Sequence, residues 1–313
     1  MVDNYNLGED ILKILLKDRT TNKNIIWGTD DYSQNGIEYY AENNIELRLI
    51  EGKYTKIIEP RVLKDKEKQD LRTKDKAEVF TPSWVCNSQN NMVDEIWFGK
   101  KEVFNKELEE KWKTIEKKIE FPKGKTWKKY VELVRMEMTC GEAPYLVSRY
   151  DTVTGKKIKI KDRIGLLDRK LRVIGENIVL EDKKNWIKWV TKAFKSIYGF
   201  EYQGDNLIIA RKNLLYTLIE YYEERFEEKP ESNLIRKIAN IISWNIWQMD
   251  GISMTVPYCS KEELYYQISI FGDNAFKTDK QERYCIITDW TKNKENKKRN
   301  IIEYRELLRG KNE

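Results

Sequence analysis

The chain has 313 residues, no histidine and a formal net charge of +6. Hydrophobic residues make up 40% of it, with ten tryptophans and eighteen tyrosines, which is the composition of a globular protein. Without histidine, Ser-His and Cys-His nucleophilic catalysis and imidazole metal sites are excluded. The four cysteines lack the paired spacing of zinc sites, and no apolar run reaches the roughly 18 residues of a membrane span. We therefore expect a cytoplasmic protein with reduced thiols, no metal and no membrane partner.

In chain order, the apolar spacing first predicts a helix over residues 9–18 and then short strands between 36 and 60. Residues 1–76 are expected to form a mostly helical N-terminal extension, and residues 77–313 one larger domain. Thr81-Pro82 marks a helix start, since proline suits the first turn of a helix. Residues 102–119 predict a charged amphipathic helix, because their apolar side chains recur at helical intervals.

Strands and helices then alternate. Residues 131–138 are the first candidate for a central parallel strand, although 127–138 also fits a helix that runs into the next loop. Helices are predicted over 186–196 and 207–226 with a second strand between them, and 235–247 has mixed character. This order indicates a doubly wound α/β sheet, in which ligands bind beyond the carboxyl ends of the strands.

Four segments stand out in the part of the chain where strands and helices alternate. In order, they are Val79-Phe-Thr-Pro82, Glu137-Met-Thr-Cys-Gly-Glu-Ala-Pro-Tyr-Leu146, Ile197-Tyr-Gly-Phe-Glu201 and Asn245-Ile-Trp-Gln-Met-Asp250. In this order they resemble adenine-N6 DNA methyltransferases, the modification subunits of restriction-modification systems. The first segment is similar to the one that precedes the cofactor loop of that family, and the second aligns without a gap on the loop that holds S-adenosylmethionine. The third segment resembles the second strand of that family, and the fourth resembles the third strand. The resemblance implies a Rossmann-like methyltransferase sheet, present here in incomplete form.

The resemblance also implies S-adenosylmethionine as cofactor. Glu201, at the end of the second strand, would accept hydrogen bonds from both ribose hydroxyls, and Asp250 would lie near the adenine amino group. Gly141 would allow the backbone to approach the methionine carboxylate closely. A surface glutamate and an ordinary buried turn are the structural alternatives for Glu201 and Gly141. The other residues expected at the cofactor are Phe80, Thr81, Glu137 and Cys140.

The chain departs from the family at two points. Ala143 and Pro144 stand where a flexible glycine-rich turn is usual. The tetrapeptide Asn-Pro-Pro-Tyr, which orients the target amine and stacks on the flipped base, does not occur, and the nearest positional equivalent is the candidate catalytic pair Asp289 and Trp290. Few residues follow this pair, so the resemblance implies the cofactor half of a split enzyme. A second protein chain would supply the catalytic motif and target recognition.

Basic residues gather at 61–76, 111–129, 156–172 and 292–299, often with aromatic residues nearby. Such stripes suit a phosphate backbone with stacked bases, so DNA is the expected partner; solvated helix faces are an equally good interpretation. Three functions stay open. They are a methyltransferase half that acts on DNA, a catalytically silent nucleic-acid-binding or regulatory subunit on the same scaffold, and a methyltransferase that acts on RNA or protein.

Overall fold

The structure, a computed structural model, describes residues 5–51, 57–64, 81–260, 282–291 and 300–308. The helices in these ranges are α1 (Glu9–Leu16), α2 (Ser83–Phe98), α3 (Trp127–Glu132), α4 (Leu166–Asn177), α5 (Lys183–Lys195), α6 (Gly204–Phe226), α7 (Ser232–Asn245) and α8 (Tyr304–Leu308). The strands are β1 (Asn105–Leu108), β2 (Lys111–Thr114), β3 (Arg135–Met138), β4 (Ile197–Glu201), β5 (Ile246–Gln248), β6 (Ile286–Asp289) and β7 (Asn300–Glu303).

Strands β3, β4 and β5 form a parallel sheet with β4 in the middle. Parallel neighbours need a long crossover; α4 and α5 lie between β3 and β4 in the chain, and α6 and α7 lie between β4 and β5. The register pairs Met138 with Phe200 and Glu201 with Gln248. The loops that follow the three strands therefore meet at one side of the sheet, which we call the carboxyl edge.

The two faces of this sheet are covered differently. Successive side chains of a strand point to opposite faces, and Ile197 of β4 packs into the large core formed with the helices. Tyr198 and Phe200 pack instead into a smaller core, which also contains Ile287 of β6 and Tyr304 of α8. Strands β6 and β7 are antiparallel partners. The crossover helices thus share one face, and the β6–β7 pair with α8 covers the other.

The N-terminal segment shares the core of the sheet domain. Helix α1 packs against α7, and its apolar residues belong to the same cluster as those of α4 to α7. Arg211 of α6 is fully buried and donates to the carbonyls of Leu15 and Ile246. The Gln248 side chain both accepts from the Ile26 N–H and donates to the Ile26 carbonyl, each at 2.9 Å. Within the described residues, this segment and the sheet bury their apolar side chains together.

Several predicted elements are confirmed. The helix expected at 9–18 is α1, those at 186–196 and 207–226 are α5 and α6, and α2 begins directly after Pro82. The ambiguous segment at 127–138 contains a short helix, α3, followed by the strand β3. The segment at 235–247 is the helix α7 and the start of β5.

The helix predicted at 102–119 is wrong. These residues contain an antiparallel hairpin, β1–β2, in which Leu108 lies opposite Lys111. Glu110 has a left-handed φ of 50° in the two-residue turn. Trp112 donates its indole N–H to the Asp162 carbonyl at 2.8 Å, so a side chain assigned to a helix face anchors a strand instead.

The strands predicted between 36 and 60 are also wrong for the part of that range that the structure describes. Residues Ile37–Tyr39 and Leu47–Leu49 form 3-10 turns. The sheet expectation holds in its coarser form: the fold is mixed helix and strand with small sheets. No helix among the described residues is long and apolar enough to cross a membrane.

A buried ion pair joins α2 to α4. Asp94 and Arg169 are each about 1% exposed, and Arg169 Nη1 lies 2.7 Å from Asp94 Oδ2. The Tyr130 hydroxyl donates to Asp94 at 3.0 Å, and Arg169 Nη2 donates to Asn87 at 3.0 Å. Charges this far from water are tolerated only when such partners satisfy them.

Asp94→Ala should lower the free energy of unfolding by about 3 to 5 kcal/mol, because it leaves a buried guanidinium without its counter-ion. Asp94→Asn keeps the shape of the side chain and one acceptor oxygen, so its free energy of unfolding should lie between those of the wild type and Asp94→Ala. Urea denaturation followed by circular dichroism measures both. Glu120→Ala, which removes an exposed acid paired with Lys117, is the control and should leave the unfolding midpoint unchanged. A midpoint for Asp94→Ala equal to that of this control would refute the assigned role.

Candidate functional site

The loop after β3 makes a tight turn at the carboxyl edge. Cys140 donates its N–H to the Phe200 carbonyl at 2.8 Å, which extends the β3–β4 pairing. Gly141 and Ala143 then have left-handed φ values of 50° and 66°. Glycine adopts this conformation freely, whereas it costs an L-residue roughly 1 to 2 kcal/mol. Ala143 therefore occupies a position whose backbone favours glycine, the residue that the resembled family has there.

Glu201 connects the loops of all three parallel strands. Its Oε2 accepts the Gly141 N–H at 2.8 Å, and its Oε1 accepts those of Tyr202 at 2.9 Å and Gln203 at 3.1 Å. Its backbone carbonyl accepts the N–H of Met249, after β5, at 3.1 Å. Burial raises the pKa of Glu201, and the three amides oppose that rise. The glutamate is thus a buried acceptor, and the surface alternative does not hold.

A second buried acid, Glu137 of β3, holds the far side of the same loop. Its carboxylate accepts the N–H groups of Tyr145 at 3.3 Å and Leu146 at 3.2 Å. Burial raises its pKa well above the ordinary value, and the charge of Glu201 adds to that rise. The sequence placed Glu137 at the cofactor by resemblance; in the structure it braces the loop from within the sheet.

The N-terminal segment lies against these loops. Glu142 accepts the backbone N–H of Arg61 at 2.7 Å. Asp205, in the first turn of α6, accepts from the Tyr32 hydroxyl at 2.6 Å and from Lys64 Nζ at 3.2 Å. Arg61 and Lys64 belong to the basic stripe at 61–76 that was expected to follow DNA, and Tyr32 was assigned no role. No local motif marks these contacts, because they join segments 81 to 173 residues apart in the chain.

Asp250 lies two residues beyond β5, on the same side of the sheet. Its Oδ1 accepts the N–H groups of Ile252 at 2.7 Å and Ser253 at 3.2 Å, which is an Asx turn. Its Oδ2 accepts no hydrogen bond from the residues that the structure describes. One carboxylate oxygen therefore shapes the loop.

The Phe-Thr-Pro segment is described from Thr81 onward; Phe80 lies outside the described residues. The Thr81 carbonyl accepts the Thr152 hydroxyl at 3.0 Å, and Asp151 accepts the N–H of Ser83 at 2.8 Å. The start of α2 is thereby tied to the turn at 151–154, which continues from the β3 loop. Thr81 is therefore held next to the segment that continues from that loop.

Asp289 and Trp290 lie at the other end of the sheet. The Cys285 thiol contacts the carbonyl of Gln248, the last residue of β5, at 3.3 Å. The Trp290 indole N–H donates to the side chain of Asn245, just before β5, at 2.7 Å. The segment from Cys285 to Trp290, which contains β6, therefore runs antiparallel to β5 and away from the carboxyl edge. The structure does not bring this pair together with Gly141, Glu201 and Asp250.

The chemistry available at the carboxyl edge is that of a binding site. Carboxylate oxygens and backbone amides recognise hydroxyl and amino groups. Burial raises the pKa of the Cys140 thiol well above its ordinary value, so that it is not a reactive thiolate. None of the four cysteines, all of which lie in the described residues, forms a disulfide. No group of three or more His, Cys, Asp or Glu side chains among the described residues could hold a metal ion.

Glu137→Gln should make stability less dependent on pH. Because the folded-state pKa is raised above the ordinary 4.5, the stability that Glu137 contributes is present below pH 4.5 and lost as the pH rises through the folded pKa. The wild type should lose up to about 1.4 kcal/mol per pH unit over that window relative to the permanently neutral variant. Melting temperatures from pH 4 to 8 measure this difference, with Glu9→Gln, an exposed acid on α1, as control. Parallel profiles of melting temperature against pH for the wild type and Glu137→Gln would contradict this prediction.

Comparison with protein families, with curated proteins and with solved structures gives no match for this chain. No family is therefore assigned by these comparisons.

Proposed function

We propose that the carboxyl edge binds S-adenosylmethionine, and that the chain is the cofactor half of an enzyme similar to adenine-N6 DNA methyltransferases. One contact carries the proposal. The Gly141 N–H donates to Glu201 Oε2 at 2.8 Å, although the two residues are 60 positions apart. The resemblance assigns this glycine to the methionine carboxylate and this acid to the ribose of one cofactor molecule, and the fold makes the two residues neighbours.

The strand order supports the same proposal. Each half of a doubly wound sheet places three consecutive parallel strands side by side. Strands β3, β4 and β5 follow that order, and their crossover helices pack on one face. On this proposal the sheet is an incomplete Rossmann-like sheet, and its ligand lies beyond the carboxyl ends of the strands.

Three groups of this chain would hold the cofactor. Glu201 uses three of the roughly four lone-pair directions of its carboxylate on backbone amides, so a ribose hydroxyl would take the remaining direction. The backbone at Gly141 would face the methionine carboxylate, and the Oδ2 of Asp250 would accept from the adenine amino group. The cofactor supplies an activated methyl group, so the protein has mainly to position the acceptor amine.

DNA as partner is supported by the surface around the β1–β2 hairpin. Eight lysines between residues 111 and 129 are exposed there: Lys111, Lys113, Lys117, Lys118, Lys123, Lys125, Lys128 and Lys129. Exposed lysines attract a phosphate backbone whatever its sequence. Because Asp289 and Trp290 lie away from the carboxyl edge, we propose that a second protein chain supplies the catalytic tetrapeptide and target recognition.

The alternative is a catalytically silent nucleic-acid-binding or regulatory subunit. It is favoured by the state of Glu201, whose carboxylate already satisfies three backbone amides without any ligand. In that case the acid would only fix the loops, and the basic surface would carry the function.

Glu201→Ala should weaken S-adenosylmethionine binding by roughly 1.5 to 3 kcal/mol, the range for a hydrogen bond to a charged group. Glu201→Gln keeps one acceptor oxygen and should have an intermediate effect. Calorimetric titration of folded protein, with and without duplex DNA, measures both variants. Glu142→Gln disturbs the same loop without touching the proposed ribose contact, and it should bind no more weakly than wild type. Equal affinity of Glu201→Ala and wild type would remove Glu201 from the site, and no binding by wild type would refute the cofactor assignment.

The chain alone should transfer little or no methyl to DNA. Transfer requires the amine to be held about 3 to 3.5 Å from the methyl group, and losing that position forfeits most of the rate. Activity should appear on mixing with a chain that contains Asn-Pro-Pro-Tyr, and Asp289→Ala should then change it little. Incorporation of labelled methyl groups into adenine-containing duplex DNA measures methyl transfer by the chain alone and by the mixture. Robust transfer by this chain alone, abolished by Asp289→Ala, would overturn the split-enzyme proposal.

A further inference from the structure

A cavity lies among the crossover helices, away from the carboxyl edge. Its volume is about 440 Å³, within the roughly 300 to 1,000 Å³ of typical ligand pockets. Helices α4, α5 and α6 and the segment at 160–163 line it, and we call it the helical groove. Tyr221, in its wall, is 17 residues along α6 from Gly204 at the carboxyl edge, a distance of roughly 25 Å at 1.5 Å per residue. The helical groove is therefore separate from the proposed cofactor site.

The floor of the helical groove is apolar. Leu171 and Trp186 lie at its base, the ring of Tyr221 forms one wall, and Leu180 at the rim is 53% exposed. Aromatic and aliphatic surface of this kind accepts a flat, weakly polar ring.

A glycine keeps this floor open. Gly175 lies inside α4, where glycine destabilises a helix relative to alanine. A Cβ at this position would meet, within 4 Å, only Arg225 Nη1, at 3.5 Å, which is an ordinary van der Waals contact. Packing of the protein against itself therefore does not require glycine here. What the glycine provides is free volume in the groove.

The rim of the helical groove is basic. Four cations, Lys161, Arg163, Arg172 and Arg225, line it with one acid, Glu224. The Arg163 side chain is only 6% exposed; its Nη2 pairs with Glu220, while its Nη1 has no hydrogen-bond partner among the described residues. The same holds for the Nε of Arg225. Both nitrogens are themselves buried, so an anionic group in the groove would be attracted by the net positive charge of the rim, to which the exposed Lys161 contributes, and not by these two donors.

A run of lysines leads up to the groove. Lys156, Lys157 and Lys159 are exposed and precede Lys161 in the chain. Spaced cations beside an apolar, partly aromatic cavity are the features with which proteins bind single-stranded nucleic acid: the cations follow the phosphates, and bases stack on rings.

We propose that the helical groove binds a nucleotide, with its base on the apolar floor over Gly175 and its phosphate among the rim cations. The same chemistry is available from a free mononucleotide or from one unit of a single strand, and the lysine run favours the strand. The proposal does not rest on the cofactor assignment, because the two sites share no residue.

The test compares a fluorescently labelled single-stranded oligonucleotide, followed by anisotropy, with adenosine monophosphate, followed by calorimetry. Gly175→Leu fills the floor, and it should weaken oligonucleotide binding at least about ten-fold, since base stacking would be lost. Gly175→Ala is the control for the effect of removing a helical glycine. It should raise the melting temperature and weaken oligonucleotide binding less than Gly175→Leu does. Lys161→Gln should lower the slope of log affinity against log salt by about 0.7, as expected for one lost phosphate contact on a single strand.

Lys237→Gln removes another exposed lysine, from α7 and outside the groove, and it should change neither the affinity nor the salt slope. Binding of the oligonucleotide alone assigns the groove to a strand, and binding of both ligands shows that one nucleotide suffices. Absence of binding to either ligand at 50 mM salt would overturn the proposal. Wild-type affinity in folded Gly175→Leu would overturn it too, as would equal effects of Lys161→Gln and Lys237→Gln.

Discussion

The carboxyl edge depends on one buried carboxylate. The parallel strands are three to five residues long, so their ladders contain too few hydrogen bonds to fix the loops beyond them. Glu201 fixes those loops: its side chain accepts amides from the β3 loop and from the start of α6, and its carbonyl accepts one from the chain after β5. Because an unpaired buried charge is costly, the acid and its donors hold one another in place. Any ligand at this edge has to join that arrangement.

Buried acids also explain why the N-terminal segment is part of the fold. Glu142 and Asp205 are almost fully buried, and the donors that make this possible, among them Arg61 and Tyr32, come from the segment before residue 65. Without that segment, these two carboxylates at the carboxyl edge would lose partners. The segment therefore stabilises the edge electrostatically as well as through the shared apolar core.

Sequence patterns succeeded where structure is local. Helices α5 and α6 were predicted, over 186–196 and 207–226, because their apolar residues repeat at helical spacing. The β1–β2 hairpin was missed because apolar residues from Val103 to Ile119 fit a helical period as well. Its turn is formed by Glu109 and Glu110, which lack the glycine or asparagine that usually signals a hairpin. Nothing local separated the two alternatives, and the packing of Trp112 on the segment around Asp162 decides for the strand.

By itself, the sequence determined the parallel strands β3 and β4 and the long helices, since periodicity is a local property. The loop residues at the carboxyl edge were indicated by the resemblance and not by periodicity. Only the tertiary structure decided that Glu201 is satisfied by amides from distant loops and that Asp289 and Trp290 lie at the opposite end of the sheet. It alone placed Gly175 on the floor of a basic groove. The physical reason is the same in each case. The direction of β6 and the partners of a buried charge depend on contacts between segments far apart in the chain, and no local pattern records them.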